Sequence, residues 1–198
     1  MKNIVLASKS IDRRALLKRA RISFEVLIIN VDEDEFKKEN FNPIELVKQL
    51  ANAKALKAKE VLAQINKDAI IIAADTIVEL NGQIIGKAND EDNAFRILRR
   101  LAGKSHNLIT GIAVTETYNP KIILSYDSTS VTLLDLTDKE IWGYIKTGEW
   151  QGRAGAYSIR EKASLFIESI QGSSSNVIGL PMNKLYQILK NEFNQILL

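Results

Sequence analysis

An α/β fold, with strands and helices intermixed from one end to the other, is what this amino-acid sequence predicts. Three observations carry that expectation. Short aliphatic runs such as FEVLII and AIIIAAD have the β-branched content of buried strands. Between them lie longer segments with apolar residues at helical spacing, the clearest from about 43 to 65. Turn signals separate the two kinds, and Asn81-Gly82 is the sharpest. Such mixing, rather than a block of one type followed by a block of the other, marks the class.

Residues 3–7 read as a short strand and 11–21 (IDRRALLKRAR) as the helix that follows. FEVLII at 24–29 is a second strand, NVDEDEFKKENFNP an acidic loop, and 43–65 a long helix. The strand at 69–74 leads into IVEL and QIIG, a hairpin closed by Asn81-Gly82. A helix is expected at 91–102, longer strands near 107–117 and 121–135, and a helix at 138–147. TGEWQGRAGAY is glycine-rich loop, SLFIESI a strand, GSSSNVIGLP turn chemistry, and 181–192 the last helix. No repeat, low-complexity tract or linker interrupts the 198 residues, so a single domain over 1–198, with two lobes at most, is expected.

Composition narrows the chemistry. The chain has no cysteine, which excludes disulfides, thiolate catalysis and cysteine-bound zinc. Its one histidine, His106, excludes multi-histidine metal sites and suits a structural hydrogen bond better than catalysis. An enzyme of this composition would work with carboxylates, lysine, arginine and hard cations. No run of about 18 apolar residues suggests a membrane span, and the N-terminal apolar run is short for a secretory signal. A cytoplasmic protein is expected. The net charge of +3 is weak support for an anionic partner.

Several residues stand out. Asp75 lies inside an apolar strand run, where a carboxylate costs several kcal/mol, roughly, unless paired or bound to a cation. In LASKSIDRRALL, Ser8 and Ser10 lie where a strand meets a helix, with Arg13 in the first turn. Free N–H groups, hydroxyls and a guanidinium make a phosphate cradle there, or else a capping serine beside a surface arginine. On a helical projection of 46–65, Lys54 falls at the centre of a stripe of Val47, Leu50, Ala58, Val61 and Ile65. It either snorkels to water or reaches an anionic ligand. Asp32, Glu33, Asp34 and Glu35 form a solvated acidic loop or supply oxygen ligands to Mg²⁺. Lys87, after Gly86, is a phosphate contact or an ordinary turn lysine.

In this order, LASKSIDRRALL, VDE, LANAKA, AADTIV with the NG hairpin and GK, RILRRLAGKSHNLITGIAV, GEWQGRAGAYSI and GSSSNVIGLPM resemble the Maf family, often called septum-formation-inhibitor or Maf-like proteins. The resemblance spans essentially the whole chain. It implies a mixed α/β fold with an elongated, curved sheet flanked by helices and two lobes around a nucleotide-binding cleft. It further implies Mg²⁺- or Mn²⁺-dependent hydrolysis of nucleoside triphosphates at the α–β bond to monophosphate and pyrophosphate, a homodimer, and a link to cleaning of modified nucleotides and division arrest. By the same resemblance, Asp75 is the proton acceptor and a metal contact, and Glu33 a second acidic position for metal and catalysis. Lys54 and Lys87 neutralise the triphosphate, while Ser8, Ser10 and Arg13 bind it.

Three positions bear on base choice. Many dTTP/UTP-specific members read SPRR, where this chain reads SIDRR and places Asp12 at the first arginine position. They read AGAYGIQG, where this chain reads AGAYSIRE and places Arg160 at the glutamine. Thr76 agrees with them. The branch preferring 7-methyl-GTP reads differently again, so the base stays open. Ala88 replaces the usual proline after GK, a minor change. The competing expectation is a nucleotide- or nucleic-acid-binding regulator without useful turnover, motivated by the basic charge and RILRRLAGK. Those arginines share a helix with Phe95, Ile97, Leu98 and Leu101, which puts them on its exposed face, so no stable nucleic-acid complex is expected.

Overall fold

The computed structural model of the protein describes residues 2–39 and 41–198, the side chains of Asp34, Lys37 and Lys38 excepted. Its elements are β1 (Ile4–Leu6), α1 (Ile11–Arg19), β2 (Glu25–Val26), α2 (Glu33–Lys38), α3 (Pro43–Gln64), β3 (Ile70–Leu80), β4 (Gln83–Ile85) and α4 (Glu91–Leu101). They continue with β5 (Ser105–Glu116), β6 (Ile122–Leu133), α5 (Asp138–Ile145), β7 (Ile167–Gln171), α6 (Ser174–Ile178) and α7 (Met182–Phe193). The described strands pair in the order β2-β1-β3-β5-β6-β7, with β4 on β3. β1 is parallel to both β2 and β3, whereas β4 runs antiparallel to β3 and β7 antiparallel to β6. The sheet is mixed and helices alternate with its strands, as the α/β class requires.

The chain divides into two compact units. One comprises the segments ending at Asp75, Thr110–Asp127 and Gly179–Leu198; the other comprises Thr76–Ile109 and Ser128–Ile178.

In the first unit both faces of the sheet are covered, so its strands read as continuous apolar runs rather than alternating ones. Ile70, Ile72 and Ala74 face one way, with Ile4, Leu6, Ile112 and Val114, against Leu17 of α1 and Leu185, Leu189 and Phe193 of α7. Ala69, Ile71 and Ala73 face the other way, with Val5, Ala7 and Ala113, against Ala51, Ala55, Ala58 and Leu62 of α3. The period of two separates the sets. The α3 interface is built mainly of alanine, and Gly111 brings the backbones closest. A Cβ placed on Gly111 would stand 2.2 Å from Val47 O and 2.7 Å from Lys48 N. Asn42 caps α3 by accepting from Glu45 N at 2.9 Å, and Pro43 occupies the first helical position, where its missing N–H costs nothing.

Two expectations are corrected in this unit. The segment 33–38, expected as loop, is the helix α2. Of the strand expected over 24–29, only Glu25–Val26 pair. β2 is the outermost strand, with a ladder on one side only, and Leu27 and Ile29 pack under α3 instead.

In the second unit, Asn81 and Gly82 both take positive φ, 53° and 79°, as a type I′ hairpin needs. α4 starts at Asp90, whose side chain accepts from Asn93 N at 2.7 Å. α5 opens with a reciprocal capping box between Thr137 and Glu140. Arg99 donates to Leu136 O and lies 3.7 Å from Asp135 and 3.8 Å from Asp138, while Arg100 donates to Gln83. Two of the three RILRR arginines are therefore engaged by their own chain. SLFIESI begins not as strand but as a 3₁₀ turn over Lys162–Phe166, which buries Ala163 and Phe166 at a spacing of three; the strand starts at Ile167. GSSSNVIGLP contains a helix, α6, tied down by Asn176 Nδ2 donating to Leu108 O and Thr129 Oγ1, each at 2.9 Å.

His106 is structural here, 2% exposed, with Nε2 2.8 Å from Tyr157 Oη. Burial pushes its pKa down from 6.5 to about 4. The folded state holds the ring neutral, so the unfolded chain binds the extra proton between those values, and stability falls as pH drops through that window. The loss amounts to about 3 kcal/mol when complete. A His106→Gln variant is expected to lose less Tm than the wild type between pH 6.5 and pH 4. Parallel acid limbs in thermal melts of the two proteins would refute this origin.

Candidate functional site

Six of the candidate residues come together within the first unit. β3 carries Asp75 on the same strand parity as Ile71 and Ala73, so its carboxylate emerges on the α3 side of the sheet. It is 7% exposed. Lys54 of α3 meets it there: Nζ donates to Asp75 Oδ1 at 2.5 Å and to Glu33 Oε1 at 2.9 Å. Glu33 arrives from the first position of α2. The expected acidic loop thus delivers one carboxylate from a helix start; the side chain of Asp34 lies outside the described residues.

Lys54 lies within the buried arc of α3, as the helical projection expected, although that arc is shifted toward the alanines. The buried positions of α3 are Leu46, Val47, Leu50, Ala51, Ala55, Ala58 and Leu62, while Ile65 is 63% exposed beyond the helix end. The angle of Lys54 falls between those of Leu50 and Val47, and its side chain is 13% exposed. A lysine suits such a position, since its stem packs while the ammonium reaches a polar site.

The strand-to-helix junction supplies the third side of the site. Ser10 is the N-cap of α1, accepting from Arg13 N at 3.3 Å. Ser8 is buried, and its Oγ accepts from Ser10 N and from Arg13 Nη1, each at 3.2 Å. Arg13 Nε donates to Gly179 O at 2.7 Å, which fixes the plane of the guanidinium. Burial lowers the pKa of Arg13, while Asp75, Glu33 and Asp12 oppose the shift. The guanidinium therefore shares the field of the same two carboxylates that Lys54 bridges. Ser10 is thus the capping serine expected as one alternative, while Arg13 is drawn inward to Ser8 and Gly179 rather than lying as a surface arginine.

Asp12 also lies in the first unit, in the first turn of α1, where its charge acts on Arg13; the other candidates belong to the second unit. Thr76 follows Asp75 in β3 and is half-buried. Lys87 is exposed and pairs in an antiparallel bridge with Ala154, which lays the GK segment along the glycine-rich loop. Arg160 is half-buried, its N–H donating to Ser158 Oγ at 3.4 Å. Two residues escaped the sequence reading, Gly179 and Gly111. One acts through a carbonyl and the other through an absent side chain, and neither leaves a chemical signature; the turn-like GLP was the only hint of the first.

The donor set suits a divalent cation. Two carboxylate oxygens converge on one ammonium, so they can converge equally on a hard cation, and Mg²⁺ commonly takes one or two carboxylates plus phosphate oxygens. Among the described residues no group of three or more ligand side chains assembles. Glu33 and Asp75 fit a cation that arrives with phosphates rather than one caged by protein.

Two carboxylates, an ammonium and a guanidinium thus share one neighbourhood beside a helix start. The chain belongs to the Maf family: the model for Maf-like protein matches residues 3–192. It is similar to the dTTP/UTP pyrophosphatase of Thermoanaerobacter sp. (strain X514), at 42% identity over 98% of this chain and 99% of the relative. It is also similar to the dTTP/UTP pyrophosphatase of Caldanaerobacter subterraneus subsp. tengcongensis, at 44% identity over 96% of this chain and 89% of the relative. A solved nucleoside-triphosphatase / dITP/XTP pyrophosphatase from Mycobacterium abscessus aligns with a TM-score of 0.35 at 12% identity, over 66% of this chain and 72% of that one, a likeness too slight to bear on the site.

Proposed function

We propose that the protein hydrolyses nucleoside triphosphates at the α–β bond, releasing a nucleoside monophosphate and pyrophosphate. The observation that carries this reading is the buried Asp75 joined to Glu33 through Lys54, in the same unit as the Ser8–Arg13 junction. Membership of the Maf family and the printed activity of its relatives support it. The reading treats residues 1–198 as one functional domain.

In this mechanism Asp75 accepts the proton of the attacking water as its oxygen bonds to the α-phosphorus. The bond from that phosphorus to the bridging oxygen breaks, and pyrophosphate leaves. Ser8, Ser10 and Arg13 hold phosphate oxygens through hydroxyls and a guanidinium whose plane is already fixed. Lys54 and Lys87 offset the triphosphate charge. Glu33 and Asp75 hold Mg²⁺ or Mn²⁺, which when bound supplies charge neutralisation on the phosphates. Asp12, Thr76 and Arg160 tune the choice of base. A homodimer, a cytoplasmic location, cleaning of modified nucleotides and a role in division arrest complete the proposal.

The deciding experiment incubates purified protein with Mg²⁺ or Mn²⁺ and separate triphosphates, dTTP and UTP first, then CTP, GTP, ATP and modified bases. Pyrophosphate and orthophosphate are measured apart. Pyrophosphate from a subset that includes dTTP or UTP is expected. Orthophosphate alone would mean cleavage at another bond, and silence with every nucleotide would leave a binding protein.

A further inference from the structure

Lys54 does more than wait for a triphosphate. We propose that its ammonium is the resident counter-ion of the Glu33–Asp75 pair, competing with the divalent cation for the same oxygens. This inference rests on the reading of Glu33 and Asp75 as the carboxylates that hold the cation.

The geometry is that of substitution rather than coexistence. Nζ lies 2.5 Å from Asp75 Oδ1 and 2.9 Å from Glu33 Oε1, so one ammonium occupies both carboxylates. A small divalent cation binds carboxylate oxygen at about 2.1 Å. Seated on those two oxygens, it would meet the ammonium at close contact with like charge. The ammonium can leave while its stem stays packed against α3's buried neighbours, because it ends a flexible chain. It cannot leave unreplaced, since stripping one partner from a buried ion pair is strongly destabilising. Arg13 is poorly placed to replace it: Nε is held by Gly179 O and Nη1 by Ser8 Oγ.

A consequence follows for the order of events. A bare cation must displace Lys54 with nothing else to receive the ammonium. A cation arriving with a polyphosphate brings the anion that takes Lys54 over as the carboxylates are released. Binding of the two is therefore cooperative, and the coupling is reciprocal.

The test measures Mn²⁺ binding to the full chain without nucleotide, by titration followed by electron paramagnetic resonance. Lys54→Met is expected to bind Mn²⁺ at least tenfold more tightly than wild type. Arg13→Met, which removes a charge that shares the field without bridging both carboxylates, is expected to change affinity less than threefold. In thermal melts Lys54→Met should lose Tm without cation and regain it with Mn²⁺, while wild type moves little. Equal or weaker Mn²⁺ binding by Lys54→Met would overturn the proposal, as would an equal gain in Arg13→Met, which would reduce the effect to through-space charge. If Asp75→Asn and Glu33→Gln leave Mn²⁺ binding untouched, the assignment of the cation to this pair fails, and the competition fails with it. Failure of the competition alone leaves those two losses intact.

Discussion

Replacing Asp75 with asparagine is expected to lower pyrophosphate release by roughly a thousandfold while the protein stays folded. A positioned proton acceptor contributes about 10²- to 10⁴-fold, and the amide neither accepts the proton of water nor holds a cation as a carboxylate does. The fold survives because the change is nearly isosteric and Lys54 keeps Glu33 as a partner. The amide oxygen can still accept from Nζ, so the stability cost is about 1–2 kcal/mol, less than the 3–5 kcal/mol of an abandoned buried charge. Steady-state pyrophosphate release and a thermal melt on the same preparation check both halves. Turnover near the wild-type rate would remove Asp75 from the chemistry.

The second large effect is expected far from any charged group. Gly111→Ala inserts one carbon where α3 lies against β5, at 2.2 Å from the carbonyl oxygen of Val47 and 2.4 Å from its carbon. The obstruction is helix backbone, which no rotamer change relieves, so the helix must shift. Overpacking of this kind costs about 1–3 kcal/mol. Lys54 lies seven residues beyond Val47, about two turns along the same helix, and its bond to Asp75 depends on how close α3 sits to the sheet. A fall in Tm of several degrees is expected, together with at least a tenfold loss of turnover at temperatures where the variant is still folded. Alanine at this position with unchanged melting and turnover would show that the contact is slack.

Some of the physics of this fold is legible in the chain and some is not. The run at 69–75 was readable because a strand covered on both faces must be apolar throughout, and that made Asp75 conspicuous. Asn81-Gly82 was readable because few residues accept two successive positive φ angles. The long helix was correct almost to the residue, 43–64 observed against 43–65 expected, yet its buried face was rotated. Hydrophobicity weights Val61 and Ile65 above Ala51 and Ala55, whereas close packing against a sheet selects the small residues. Neither alternative written for Lys54 foresaw its partners, since the ammonium ends on two carboxylates of its own chain. Glu33 was singled out by resemblance and misplaced in a loop, because acidic residues are as much at home in the first turn of a helix as in solvent. The anchoring of Arg13 was beyond reach, since its acceptor is a backbone carbonyl 166 residues away.

That long-range bond has a bearing on how the protein is born. The unit holding Ser8, Arg13, Glu33, Lys54 and Asp75 also contains Gly179–Leu198, and α7 fills one side of its core. On the ribosome these residues emerge well before their packing partners in Gly179–Leu198. The second unit, Thr76–Ile109 with Ser128–Ile178, has all its residues available sooner. During synthesis the order of maturation therefore runs against the order of translation, and a nascent chain cut short before Gly179 lacks the carbonyl that orients Arg13.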